Sequence, residues 1–171
     1  MKRLFFALWP DTDIRSEIDA LNQSIEQPGR KLVPENLHIT LVFLGNVSDE
    51  IAEALQQQAA FISARPFSLT FDEIDYWRRP RVLCMTCQRQ PKPLYQLVNA
   101  LTRMVEAFPV RLDKRAFRAH ITLMRKAKSR PRCDFEPIAI DADNFVLVQS
   151  VSTENGVRYD VLARWPLTAK A

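Results

Sequence analysis

Two copies of one tetrapeptide constrain this chain more than any other feature. His-Ile-Thr-Leu stands at residues 38–41 and again at residues 120–123, and His38 and His120 are the only histidines. At background usages of roughly 5–10% for each following residue, a chance match of three is on the order of one in several thousand. The copies also fall at corresponding places. An apolar run at residues 2–9 reads as a strand, an amphipathic stretch at 11–27 as a helix, and 37–44 as a strand carrying the first histidine. The same order recurs as a strand at 82–87, a helix at 91–108 and a strand beginning near Ala119. Leu4 to His38 is 34 positions and Leu83 to His120 is 37. The spacing predicts an internal duplication of α+β type, with residues 1–171 forming one domain of two pseudo-symmetric lobes.

Local signals refine the pattern. In the first helix Ile14, Ile18, Leu21 and Ile25 share a face, and Pro28-Gly29 ends it. Gly45 is read as the stop of the first histidine strand. Ser48 is the expected N-cap of a further helix, with Ile51, Leu55, Ala59 and Ile62 inward. Phe67, Leu69 and Phe71 alternate as in a strand. Asn155-Gly156 lies between two β-like runs, 145–153 and 157–163, and predicts a hairpin.

On a strand, residues i and i+2 share a face. His38 therefore projects with Thr40, and His120 with Thr122, while Ile39, Leu41, Ile121 and Leu123 anchor the other side. Two lobes can bring two imidazoles and two hydroxyls to a shared cleft. An imidazole titrates at about 6.5, so one can be neutral while the other is protonated. That pair suits acid–base cleavage of a phosphodiester, and the threonine hydroxyls can bind its non-bridging oxygens. Neither motif holds the Ser or Cys of a covalent mechanism. Two histidines without an acidic or thiol cluster do not make a zinc site, so no metal or cofactor is expected.

Composition narrows the partners. The net charge is +4, and nine of the 24 basic residues lie between Arg111 and Arg132 against one acid, Asp113. This window encloses His120, and a positive field there favours an anionic substrate. With only three glycines and no Gly-rich phosphate loop, nucleoside-triphosphate and dinucleotide folds are disfavoured. Cys84, Cys87 and Cys133 show no disulfide framework, and Cys84 and Cys87 lack a second pair to complete a metal site. The apolar start at Leu4 is too short for a signal peptide and is followed by Pro10-Asp11. No stretch approaches a membrane span, and a cytoplasmic protein is expected.

Paired His-x-Thr-x motifs in a duplicated fold resemble those of the 2H phosphoesterases. Within them the chain is similar to the bacterial and archaeal RNA 2′,3′-cyclic phosphodiesterases, also called 2′-5′ RNA ligases (the ThpR/LigT family). The resemblance covers nearly the whole chain. It includes Arg3-Leu4-Phe5-Phe6-Ala7, Asn36-Leu37-His38-Ile39-Thr40-Leu41 with Phe43-Leu44-Gly45, and Arg118-Ala119-His120-Ile121-Thr122-Leu123-Met124-Arg125. Where the family often carries prolines before the second histidine, this chain has Ala116 and Ala119. The resemblance implies a bilobal fold with two antiparallel sheets forming a central cleft and helices packed outside. It implies metal-independent hydrolysis of RNA 2′,3′-cyclic ends to 2′-phosphates, with His38 as proton donor and His120 as proton acceptor. Arg125 matches the arginine that often follows the second motif and neutralises phosphate. Strict alternation puts Arg125 on the face opposite His120, so a bulge or the strand's end must intervene.

The expected partners are RNA with a cyclic phosphate end, tRNA fragments among them, or cyclic nucleotides, bound by a monomer. Other readings are hydrolysis of another cyclic or 2′,5′-linked nucleotide such as ADP-ribose cyclic phosphate, reversible 2′-5′ ligation, and a non-catalytic RNA-binding module gripping phosphates with the basic window.

Overall fold

Two serine- or aspartate-capped helices and a repeated strand order set the architecture of the computed structural model, which describes residues 1–168. The elements run β1 (Lys2–Leu8), α1 (Thr12–Ser24), β2 (Arg30–Lys31), β3 (Ile39–Val47), α2 (Asp49–Ala59), β4 (Phe67–Phe71), β5 (Glu73–Trp77) and β6 (Val82–Thr86). They continue as α3 (Lys92–Glu106), β7 (His120–Arg125), β8 (Ile138–Ala142), β9 (Asn144–Thr153) and β10 (Gly156–Pro166). The Asp11 carboxylate accepts the Ile14 amide at 2.9 Å, and the Ser48 hydroxyl accepts the Ile51 amide at 3.3 Å, opening α1 and α2. Each bond satisfies an amide that the first helical turn leaves free.

The strands form two four-stranded sheets, ordered β10-β9-β1-β3 and β2-β7-β6-β5, and a two-stranded pair of β4 with β8. All the pairings are antiparallel. In the first sheet β1 and β3 are neighbours joined through α1; in the second, β6 and β7 are neighbours joined through α3. The strand, helix and histidine strand thus recur as the spacing predicts. Ile18 of α1, Leu55 of α2 and Leu94, Leu97, Leu101 and Val105 of α3 enter one buried cluster with Leu4, Phe6, Leu83 and Met85 of the sheets. Burying each such side chain is worth about 1.5–3 kcal/mol. A second, smaller cluster of Phe5, Ala7, Val146 and Val148 lies on the other face of the first sheet, with Trp9 and Tyr159 against it.

Several expectations need correction. Helix α1 ends at Ser24, three residues short of the expected end, and Asn22 on its inner face is completely buried. Gly45 does not stop β3, which runs on to Val47. It sits at φ +71, a left-handed value that glycine tolerates, beside a shift in the β1–β3 register. His38 lies just before β3 rather than inside it. Strands β2, β5 and β8 were not anticipated. No helix among the described residues is long and apolar enough to cross a membrane.

Candidate active site

Each histidine is tied down by its own backbone in the same way. His38 Nδ1 lies 2.7 Å from the Asn36 carbonyl, and His120 Nδ1 lies 2.9 Å from the Arg118 carbonyl. A carbonyl only accepts, so Nδ1 carries the hydrogen in both rings and the reactive nitrogen left is Nε2. At His38 that nitrogen is 3.0 Å from the Thr40 hydroxyl, which donates to it when the ring is neutral. The i, i+2 pairing of His38 with Thr40 therefore holds even though the strand starts one residue later.

Aromatic rings hold the imidazoles. Around His38 stand Phe5 at 4.9 Å, Tyr159 edge-on at 5.0 Å and Trp9 stacked at 5.4 Å between centroids. The Arg15 guanidinium lies 4.6 Å from the Trp9 ring, and its Nε donates to the Leu37 carbonyl at 3.3 Å. Asn36 is itself anchored through its Nδ2, which donates to the Val157 carbonyl at 2.9 Å. Around His120, Trp77 lies at 4.5 Å and donates its Nε1 hydrogen to Asp75 at 3.1 Å, while Arg118 pairs with Asp75 at 3.2 Å. None of Phe5, Trp9, Arg15, Trp77, Asp75 and Tyr159 was singled out from the sequence. Tyr159 and His38 are far apart in the chain and carry no shared local signal.

Strands β3 and β7 approach each other, and His38 senses His120 and Arg125 electrostatically. Burial holds the His38 imidazole down at about 4 from its usual 6.5, against the Asn36 carbonyl, which raises it. Positive charge on His120, Arg15 and Arg125 lowers it further. His120 is lowered too, by burial first, with the Arg118 carbonyl opposing and the Arg118 charge adding.

Arg125 reaches this face because β7 carries a bulge. Opposite Leu83 and Cys84 stand Met124 and Thr122, leaving Leu123 without a partner on β6. The extra residue reverses the alternation. Leu123 and Met124 are both fully buried, and Arg125 emerges exposed on the side of His120 and Thr122. The Leu123 carbonyl is held by the Asn22 side chain at 2.9 Å and the Leu32 amide at 2.8 Å. Asn22 thus crosses from α1 to pin the bulge. Its place four residues after Ile18, within the apolar stripe of α1, is the sequence signal that could have revealed it.

The basic window divides in the structure. Arg115 pairs with Asp113 and Arg118 with Asp75. Arg125, Lys126 and Lys128 instead lie beside the exposed turn bearing Arg78, Arg79 and Arg81, because Ala127 donates to the Arg81 carbonyl at 3.1 Å. The cysteines are free, and burial pushes the Cys84 and Cys87 thiols up to about 12. Among the described residues no three His, Cys, Asp or Glu side chains converge to hold a metal ion.

Known proteins match this arrangement. A family model described as LigT like Phosphoesterase matches residues 8–84, which contain the first histidine motif. The RNA 2′,3′-cyclic phosphodiesterase of Escherichia coli (strain K12) is 35% identical over 172 residues, covering 98% of this chain and 97% of that one. The chain belongs to the LigT-like phosphoesterase family. The enzyme of the same name from Archaeoglobus fulgidus is 29% identical over 92% of this chain and 96% of its own. The crystal structure of Escherichia coli LigT with 3′-AMP superposes with a TM-score of 0.87 at 33% identity, over 98% of this chain and 99% of that one.

The depressed His38 gives this LigT-like phosphoesterase a pH-dependent stability. Between pH 6.5 and 4 an unfolded histidine takes up a proton while folded His38 does not. The unfolded state then binds more protons, so stability falls as pH falls, by about 3 kcal/mol across the window. Urea denaturation at pH 7 and pH 4.5 should show wild type losing more stability than His38→Gln. Equal losses would show that His38 titrates near its ordinary value.

Proposed function

We propose that the protein hydrolyses 2′,3′-cyclic phosphate ends of RNA to 2′-phosphates, with residues 1–171 acting as one domain of two lobes. The observation that carries this reading is the matched pair of imidazoles. Each has Nδ1 committed to a carbonyl two residues back, and each therefore offers Nε2. Water attacks phosphorus as His120 takes its proton, the bond from phosphorus to O3′ breaks, and His38 gives its proton to that oxygen. Thr40, Thr122 and Arg125 hold the non-bridging oxygens. A ribose 5′-hydroxyl in place of the water gives a 2′-5′ linkage by the same acid and base.

A free site with His38 near 4 holds it neutral at neutral pH. A bound phosphodiester brings negative charge to its Nε2 and raises its affinity for a proton, so the donor is charged as the substrate seats. No ion is needed to activate the water in this scheme. Both motifs come from one chain, so a monomer is complete, and three free cysteines suit a reducing cytoplasm.

The test compares a cyclic-ended oligonucleotide, 2′,3′-cyclic AMP, ADP-ribose cyclic phosphate and a 2′,5′-linked dimer, with and without EDTA. We expect turnover of the first two, unchanged by chelation, with 2′-phosphate as product. Turnover of none would leave an RNA-binding module; loss with EDTA, restored by a divalent metal, would sink the two-histidine mechanism.

A further inference from the structure

The strand register of the second sheet identifies the residues that share a face with His120. Asp75 on β5 stands opposite Cys84 on β6, and Cys84 stands opposite Thr122 on β7. Trp77, Val82 and Arg125 form the row on one side, and Glu73, Thr86 and His120 the row on the other. Directly paired residues share a face, so Asp75 and Trp77 stand on the side of His120, Thr122 and Arg125. The bulge at Leu123 keeps all three rows on that side. Asp75 thus belongs to the floor of the second lobe.

On this floor the Asp75 carboxylate has three donors. Its Oδ1 accepts the Tyr76 amide at 2.9 Å, which fixes the carboxylate's own orientation. Its Oδ2 accepts from the Trp77 indole at 3.1 Å and from the Arg118 guanidinium at 3.2 Å. Both of these partners lead to His120. The Trp77 ring packs on the imidazole at 4.5 Å between centroids, and the Arg118 carbonyl takes the Nδ1 hydrogen at 2.9 Å. The two lobes differ here. His38 is enclosed by Phe5, Trp9 and Tyr159 and bonded to Thr40, whereas Trp77 is the one aromatic neighbour of His120 among the described residues. The contacts that orient His120 therefore converge on one carboxylate.

We propose that Asp75 is the positioning residue of His120, holding Trp77 and Arg118 so that the imidazole keeps its hydrogen on Nδ1 and presents a bare Nε2 to the attacking water. This deepens the cyclic phosphodiesterase reading and rests on it. A neutral imidazole left to itself favours its hydrogen on Nε2, and in that form the nitrogen facing substrate has no lone pair to act as a base. Misplacing a catalytic group by about 1 Å can cost on the order of 100-fold in rate. Stability does not account for the pair. The Arg118 and Asp75 side chains are 45% and 28% exposed, and an ion pair so open to water adds at most about 1 kcal/mol to a fold. The loss on freeing Arg118 and Trp77 therefore falls on turnover rather than on substrate affinity.

The experiment joins the kinetics of 2′,3′-cyclic AMP hydrolysis to nitrogen NMR of the His120 ring above neutral pH. Asp75→Ala should lower kcat about 10–100-fold and leave KM within about twofold. Asp75→Asn, whose amide oxygen still accepts from both partners, should return kcat to within about threefold of wild type. His38→Gln leaves His120 as the sole histidine. In that background the ring should carry its hydrogen on Nδ1 when Asp75 is present and show mixed tautomers with alanine there. Unchanged kcat in folded Asp75→Ala overturns the proposal. So does a loss of kcat with the tautomer unchanged, or a loss that asparagine does not rescue. If the alanine variant does not fold, Trp77→Phe keeps an aromatic ring and removes its hydrogen bond to Asp75. It should lower kcat in the same way, and wild-type kcat overturns the proposal. If wild type turns over no substrate, the activity reading falls instead, and the tautomer alone decides whether Asp75 holds His120.

Discussion

Replacing His38 or His120 with alanine lowers kcat by about 10²–10⁴-fold, the loss usual for a general acid or base. Each ring has Nδ1 committed to a backbone carbonyl, so in the proposed scheme only its Nε2 can carry the proton. Neither change should unfold the chain, because both imidazoles are only half-buried and neither is part of the main apolar cluster. The measurement is single-turnover kinetics on folded variants, checked by circular dichroism. A folded variant with near wild-type turnover would remove that histidine from the mechanism. The depressed His38 adds a finer signature. In kcat/KM, which reports the free enzyme, the alkaline limb should lie at lower pH than in kcat, which reports the substrate complex. Coincident limbs would mean that the substrate's charge does not reach His38. The pair's pKa values would then be a property of the fold alone.

The residues that announce chemistry were those with a local pattern. The histidine pair, the Thr40 and Thr122 positions, the Ser48 cap and the Asn155-Gly156 turn follow from short-range rules, and the structure places them accordingly. What escaped is non-local. Strand β5 is an edge strand whose alternation, Ile74 and Tyr76 toward the core against Glu73 and Asp75, spans only five residues and ends on Trp77. Strand β2 is two residues long and exists only because it pairs with the end of β7. Gly45 reads as a breaker because glycine usually is one; here the backbone needs a left-handed residue within a continuing strand. The aromatic cage of His38 draws on β1, β10 and the residue after β1, which only the assembled sheet brings together. β8 is the different case. Ile138, Ile140 and Ala142 do alternate with exposed residues, so the pattern was present, though short and unsupported until β4 paired with it.

Arg125 should behave as a residue whose position matters as much as its charge. Arg125→Ala should lower kcat/KM by about 10–100-fold, the worth of a lost hydrogen bond to a charged group. Arg125→Lys should recover only part of that, because an ammonium cannot reproduce the planar two-pronged contact. The bulge at Leu123 makes a second, sharper demand. Asn22 donates to the Leu123 carbonyl, so Asn22→Leu removes one of the two bonds that hold the bulge while keeping the apolar volume. If the bulge relaxes, β7 regains strict alternation and Arg125 swings toward the opposite face. Asn22→Leu should therefore lower kcat/KM although Asn22 touches no substrate. Its effect should vanish in an Arg125→Ala background, since nothing is then left to aim. The double-mutant cycle reads this coupling directly. Additive losses would show that Asn22 only stabilises the fold, and wild-type kinetics in Arg125→Lys would place Arg125 outside the site.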